Sequence, residues 1–184
     1  MFKSIYYYID KFNKDEIDKL DRLISIIYRN YSNKISEKEI KHLVDFCRSQ
    51  RRKVYISNNL KLALKFNFDG LYIPSFNKIL KYNNIYKRGF EIIGSAHNIK
   101  EVLNKEKQGC SKIFLSPIFK TKKNQYSLGV TKFNFIKLNT KKEIIPLGGI
   151  NENSVKKINI CRVKGVGAIS WIKKNGPSIN TGPF

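Results

Sequence analysis

Apolar residues along the chain fall into short β-branched or aromatic runs, separated by longer stretches of helical period, and the two patterns alternate. KSIYYYI (3–9), LISIIYR (23–29), KVYIS (53–57), LYIPS (71–75), FEIIGSAH (90–97), KIFLSPIF (112–119), EIIPLGGI (143–150) and GVGAISWI (165–172) read as eight strands. KDEIDKL (14–20) reads as a short helix. The segment 35–50 is a longer one, with Ser36 and Glu39 at capping-box spacing and Ile40, Leu43, Val44 and Cys47 on one face. Asn58 or Asn59 caps LKLALKFN. Asn98 caps IKEVLNKEKQG, which stops at Gly109. VTKFNFIKLN (130–139) is helical, and Asn151 or Asn153 caps SVKKINI.

Eight strands separated by helix-length segments predict a parallel α/β protein, and eight strands close a (β/α)8 TIM barrel. The strands are short and apolar on both sides, as strands covered by helices are. A doubly wound open sheet is the alternative, but no GxGxxG follows the first strand. The 184 residues make a single compact barrel domain, below the ~200 residues usual for the fold. The tail at 173–184, KNGPSINTGPF after Lys173, is rich in Gly and Pro and predicts a degenerate final helix.

Composition adjusts this picture in three places. No apolar run reaches the ~18 residues of a membrane span, and the N-terminus has no secretory pattern. Cys47, Cys110 and Cys161 form no CxxC and fit reduced thiols in a cytoplasmic protein. The net charge of +22 comes from 36 basic and 14 acidic residues, and a charge of that size suggests an anionic partner. However, 29 of the basic residues are Lys and only 7 are Arg, and 19 Asn and 26 Ile accompany them. That excess matches an AT-rich coding bias rather than a base-reading surface, so no specific nucleic-acid partner is expected.

In a barrel of this kind chemistry belongs at the C-terminal strand ends. Those ends are polar or Gly-rich: Arg29, Ser57-Asn58, Asn77, Ser95 and His97, Ser116-Pro117, Gly148-Gly149, and Ile169-Ser170. The loops after strands seven and eight often hold a phosphate through backbone N–H groups, and Gly148-Gly149 suits that role or a tight turn. Arg29 is the one arginine at a strand end, a contact for a diphosphate or carboxylate, or half of an ion pair. His97 serves a ligand or a structural hydrogen bond, and His42, inside the 35–50 helix, is a surface or packing residue. No metal-ligand spacing and no Ser-His-Asp arrangement appears.

From strand three onward the chain resembles the thiamine phosphate synthase/TenI family. The matching pieces are YISNNLKLALKFNFDGLYIPS (55–75), IIGSAHNIKEVLNKEKQGCSKIFLSPIFKT (92–121), SLG (127–129), IIPLGGINENSVKKI (144–158) and GVGAISWI (165–172). The resemblance implies a (β/α)8 enzyme that joins hydroxymethylpyrimidine diphosphate to thiazole phosphate and releases diphosphate, usually with magnesium. It implies catalytic roles for Arg29 and Ser95 at the diphosphate. Substrate contacts are expected at Ser57, Asn58, Asn77, His97, Thr121, Lys123, Gly148, Gly149, Ile169 and Ser170, of which the resemblance matches Thr121, Gly149, Ile169 and Ser170 to the family's phosphate contacts. The departures fall on the magnesium ligands: the family's two Asp positions are Asn58 and Asn77, which weakens any Mg2+ site, and Lys120, Lys122 and Lys123 offer charge in its place. Ile27 and Tyr31 replace the usual companions of Arg29, and Pro117 stands where TenI-type tautomerases carry a His. The alternative is a non-catalytic or divergent barrel that binds a phosphorylated thiamine precursor or product. Family barrels commonly self-associate, so a homo-oligomer is a further expectation.

Overall fold

The computed structural model describes residues 2–31, 35–85, 88–122, 125–168 and 171–172. Eight strands run in chain order: β1 (Ser4–Ile9), β2 (Ile24–Tyr28), β3 (Val54–Ser57), β4 (Gly70–Ile73), β5 (Glu91–Ala96), β6 (Lys112–Leu115), β7 (Glu143–Pro146) and β8 (Gly165–Ala168). Neighbours pair in parallel in the order β7-β6-β5-β4-β3-β2-β1-β8, and a single parallel bridge between Leu147 and Gly167 joins the two ends. This is the predicted TIM barrel.

Six α-helices lie between the strands: α1 (Lys14–Asp18), α2 (Glu37–Ser49), α3 (Leu60–Lys65), α4 (Ile99–Lys107), α5 (Gly129–Leu138) and α6 (Glu152–Ile158). Each predicted cap that had two candidates resolves to one. Asn59 caps α3 and Asn151 caps α6, the latter in a reciprocal box with Ser154. The Ser36 hydroxyl caps α2, but the Glu39 carboxylate turns away from that cap and accepts from the Phe12 backbone N–H at 2.8 Å. Between β4 and β5 the described residues form one 3-10 turn, Lys81–Asn84, and no α-helix.

Strand alternation sorts the side chains into two sets. Those pointing outward, including Ile5, Tyr7, Ile26, Val54, Ile56, Leu71, Ile113 and Val166, pack against Ile17, Ile40, Leu43, Val102, Phe133 and Ile158 of the helices. Those pointing inward form a separate aromatic core of Tyr6, Tyr8, Tyr55, Tyr72 and Phe114 with Ile27, Ile93 and Ile145. Phe114 sits at its centre, edge-on to Tyr6 at 4.9 Å, to Tyr8 at 5.9 Å and to Tyr72 at 5.9 Å. Each such pair adds about 0.5–1.5 kcal/mol beyond the area it buries.

Six predicted strands run past their observed ends, the last three by the most. The ladder stops at Leu115, Pro146 and Ala168, and the apolar residues beyond cover the barrel rim instead: Ile118 and Ile150 are buried in loops. Trp171 and Ile172 are helical, not strand, and buried. The tail predicted at 173–184 lies outside the described residues. In the basic run Arg51-Arg52-Lys53, Arg51 and Lys53 are exposed and the middle residue is not. Arg52 is buried, and its guanidinium donates to the carbonyls of Ile17, Leu20, Asp21 and Ile24 and to Gln50, tying α1 to β2. Among the described residues, no helix is long and apolar enough to cross a membrane.

Candidate active site

The C-terminal ends of the strands bring the sequence-predicted residues around one mouth. Arg29 follows β2, and its backbone N–H donates to Ile9 O at 2.7 Å. The half-buried side chain lies over the Tyr8 ring, with the guanidinium carbon 5.0 Å from the ring centroid. It forms no ion pair among the described residues. The Tyr8 hydroxyl beneath it is buried without a hydrogen bond of ordinary geometry. Burial pushes the Tyr8 hydroxyl well above the usual tyrosine range, and the nearby Arg29 offsets part of that rise. Tyr72 is raised for the same reason, and the Ser95 hydroxyl facing it and Arg29 both oppose the rise. Ser57, at the end of β3, is also buried, and its hydroxyl has no partner among the described residues.

Asn58 and Asn77, on separate loops, are in direct contact. Asn58 takes a left-handed backbone (φ 58°) that turns its side chain across the β3–β4 seam. The Asn77 amide donates to Asn58 Oδ1 at 2.6 Å and to the Tyr82 hydroxyl at 3.0 Å. Asn77 Oδ1 accepts from the Ile79 backbone N–H at 2.8 Å. Both side-chain oxygens of the pair therefore already hold a proton donor, and neither carries charge. A hard divalent cation requires anionic oxygens that are free to coordinate, so this pair does not fit magnesium. Among the described residues, no cluster of His, Cys, Asp or Glu could hold a metal elsewhere.

The loop that carries Asn77 is held from behind by two residues that sequence reasoning missed. Lys105 of α4 is fully buried, and its ammonium donates to Pro74 O at 2.7 Å, Asn77 O at 2.8 Å and Gln108 Oε1 at 2.8 Å. Gln108, also fully buried, donates to Asn77 O and Ile79 O, both at 2.9 Å. Burial lowers the Lys105 pKa to about 8. The available signal was spacing: Lys105 falls three residues after the buried Val102, on the apolar face of an amphipathic helix.

His97 leaves β5 toward the end of β6. Its Nδ1 lies 2.7 Å from Ser116 O, so Nδ1 carries the proton, and Nε2 accepts from the Ser75 hydroxyl at 3.2 Å. Thr121 is half-buried on the loop after β6. Gly148 and Gly149 both have positive φ, 90° and 70°. A Cβ on Gly149 would lie 2.5 Å from the carbonyl oxygens of Phe119 and Lys120, so the turn is packed directly on the β6 loop. Lys123, Ile169 and Ser170 lie outside the described residues. Of the two readings of His42, surface or packing, the structure has the first: it is exposed on α2.

Comparison with known proteins gives this geometry a context. The family model described as thiamine monophosphate synthase matches residues 21–172. The thiamine-phosphate synthase of Prochlorococcus marinus is 33% identical over 137 residues, covering 73% of this chain and 40% of that protein. That of Clostridium acetobutylicum is 31% identical over 121 residues, covering 64% of this chain and 57% of that protein. The chain thus spans about half the length of these relatives. Among solved structures, a thiamine phosphate pyrophosphorylase from Pyrococcus furiosus superposes with a TM-score of 0.77 at 17% identity, covering 93% of this chain and 87% of that one. One from Bacteroides thetaiotaomicron gives 0.68 at 18% identity, covering 100% of this chain and 90% of that one. At these identities the two structures speak for the fold.

Proposed function

The chain belongs to the thiamine monophosphate synthase family, and from that premise we propose that it joins hydroxymethylpyrimidine diphosphate to thiazole phosphate. The C–O bond between the pyrimidine methylene and the diphosphate breaks, and the diphosphate leaves with the electron pair. The thiazole nitrogen then donates its lone pair to the methylene carbon, forming the C–N bond of thiamine phosphate. No general base is needed for that step, so the protein's work is to orient two rings and stabilise the departing anion.

The single observation that carries the reading is Arg29. It is a half-buried cation at the mouth of the family's barrel with no carboxylate among the described residues to neutralise it. An arginine fork in that position suits a diphosphate. The orphaned Ser57 hydroxyl on β3 and Ser95 on β5, on either side of β4, supply further donors. Thr121 and the backbone of the Gly148-Gly149 turn receive the thiazole phosphate, and the exposed Lys120 and Lys122 add positive charge above the leaving group. Magnesium has no step here, because the Asn58–Asn77 pair offers it no anionic ligand. The setting is cytoplasmic, in keeping with three buried, unbridged thiols.

The test is thiamine phosphate formation by the purified chain from both substrates, with magnesium and with a chelator. Equal turnover in both arms is expected. Turnover only with magnesium would overturn the metal-free account while leaving the synthase reading intact. No turnover in either arm, with thermal stabilisation by thiamine phosphate, would replace the enzyme with a binding barrel, the reading that the neutral amide pair favours.

A further inference from the structure

We propose that Lys105 and Gln108 are positioning residues for diphosphate recognition, setting from helix α4 the loop 74–79 that presents Asn77 at the barrel mouth; this rests on the synthase reading. A lysine buried without a carboxylate is costly unless each ammonium proton finds an acceptor. Here all three do: the carbonyls of Pro74 and Asn77 and the Gln108 side chain. Gln108 then spends both of its amide protons on Asn77 O and Ile79 O. The backbone carbonyl of Asn77 therefore receives two donors from α4, while its side chain reaches Asn58 and Tyr82 at the front. One residue is fixed from both sides, and the α4 pair supplies every bond from behind.

The path of the lysine is built into the strand it crosses. A Cβ on Gly94 of β5 would lie 2.9 Å from Lys105 Cδ and 2.9 Å from Cys110 Sγ. The lysine stem therefore runs over the spot where any other residue would carry its side chain. The loop it serves contains no regular element of its own between the end of β4 and the 3-10 turn at Lys81–Asn84. Its orientation comes from these side-chain bonds together with the Asx-type bond from Ile79 N to Asn77 Oδ1.

The experiment compares the full chain with Lys105→Met, which keeps the stem and removes the three donors. It measures calorimetric affinity for inorganic diphosphate, calorimetric affinity for thiazole phosphate, and hydrogen exchange at the amides of 75–79. Expected are faster exchange at 75–79, a loss of about tenfold or more in diphosphate affinity, as small displacements of positioning groups give, and unchanged thiazole phosphate affinity. A merely structural lysine would weaken both ligands alike, and that outcome overturns the proposal. Unchanged exchange at 75–79 would show that Lys105 does not hold the loop, and faster exchange with unchanged diphosphate affinity would show that the loop does not serve the anion. Either overturns it. Failure of the unaltered chain to bind diphosphate would overturn the synthase reading, and this inference with it. Should Lys105→Met fail to fold, Gln108→Met keeps the lysine, removes the bonds to Asn77 O and Ile79 O, and answers the same question in the same assays.

Discussion

At the N-terminal end of the barrel, Glu91 accepts a short hydrogen bond from Tyr55, a bond from Lys112 at 2.9 Å, and a looser ion pair from Lys53 at 3.8 Å. At the C-terminal end, Arg29 rests on an aromatic ring with no carboxylate opposite it among the described residues, and the buried Ser57 hydroxyl has no partner among them. The same aromatic core separates the two ends, so the difference lies in the polar groups alone. Burial by itself would raise the Glu91 pKa, yet Tyr55 and Lys112 bring it below the ordinary value. Burial would lower Lys112, yet Glu91 raises it. The floor is a closed circuit in which each charge answers another. Among the described residues, the mouth keeps the Arg29 and Ser57 donors without protein partners, at a cost in stability that the proposed diphosphate would offset.

The largest expected effect tests the mouth. Arg29→Ala should lower turnover by about 10²-fold or more, as loss of a transition-state charge contact does. It should change stability by no more than about 1 kcal/mol, the scale of one cation–π contact. A large drop in melting temperature would make Arg29 part of the frame and erase the contrast. Next, Glu91→Ala should do the reverse. It strands Lys112 and should destabilise by about 2 kcal/mol in urea titrations, short of the ~3–5 for a fully buried pair because the carboxylate is partly open to water. Turnover per folded molecule should hold. Ser57→Ala should stabilise the chain by about 1 kcal/mol, since it removes an unsatisfied buried hydroxyl, while weakening diphosphate binding. A destabilised Ser57→Ala would show that the hydroxyl is already partnered.

The smallest effect is in pH. The folded pKa of Glu91 is depressed, so its contribution is complete above its ordinary value of 4.5 and is lost as pH falls below that, through the folded pKa. Lys112 is raised, so its contribution holds below 10.5 and is lost as pH rises through the folded pKa. Glu91→Gln should flatten the acid limb of a melting-temperature profile. An unchanged acid limb would assign acid sensitivity to other carboxylates.

Much of this frame was legible in the sequence, because parallel strands covered on both faces write themselves as apolar runs and helix caps write themselves as Asn or Ser at fixed offsets. The ends of those runs were not legible. Ile118, Ile150 and Trp171 are apolar because they cover the rim, and the periodicity of a short run does not separate a rim residue from a strand residue. At the site, Arg29, Ser57 and Ser95 could be placed from strand ends. The contact of Asn77 with Asn58 could not, since it depends on one left-handed residue and on a loop without regular structure. Lys105 was overlooked because a lysine in a helix is by default read as solvated, even when its spacing puts it on the buried face.

The bridge between Leu147 and Gly167 has a consequence during synthesis. Within the barrel, β8 follows the other seven strands in chain order, and its main ladder is with β1 at the opposite end of that order. Until it emerges from the ribosome, the nascent sheet carries two bare edges, β1 on one side and β7 on the other, each a template for pairing with a neighbouring chain. Once β8 docks, among the described residues four rungs bind it to β1 and one reaches β7. The finished barrel therefore keeps a seam at the place where it closed last. The Gly148-Gly149 turn follows Leu147 directly, so it sits at the top of that seam.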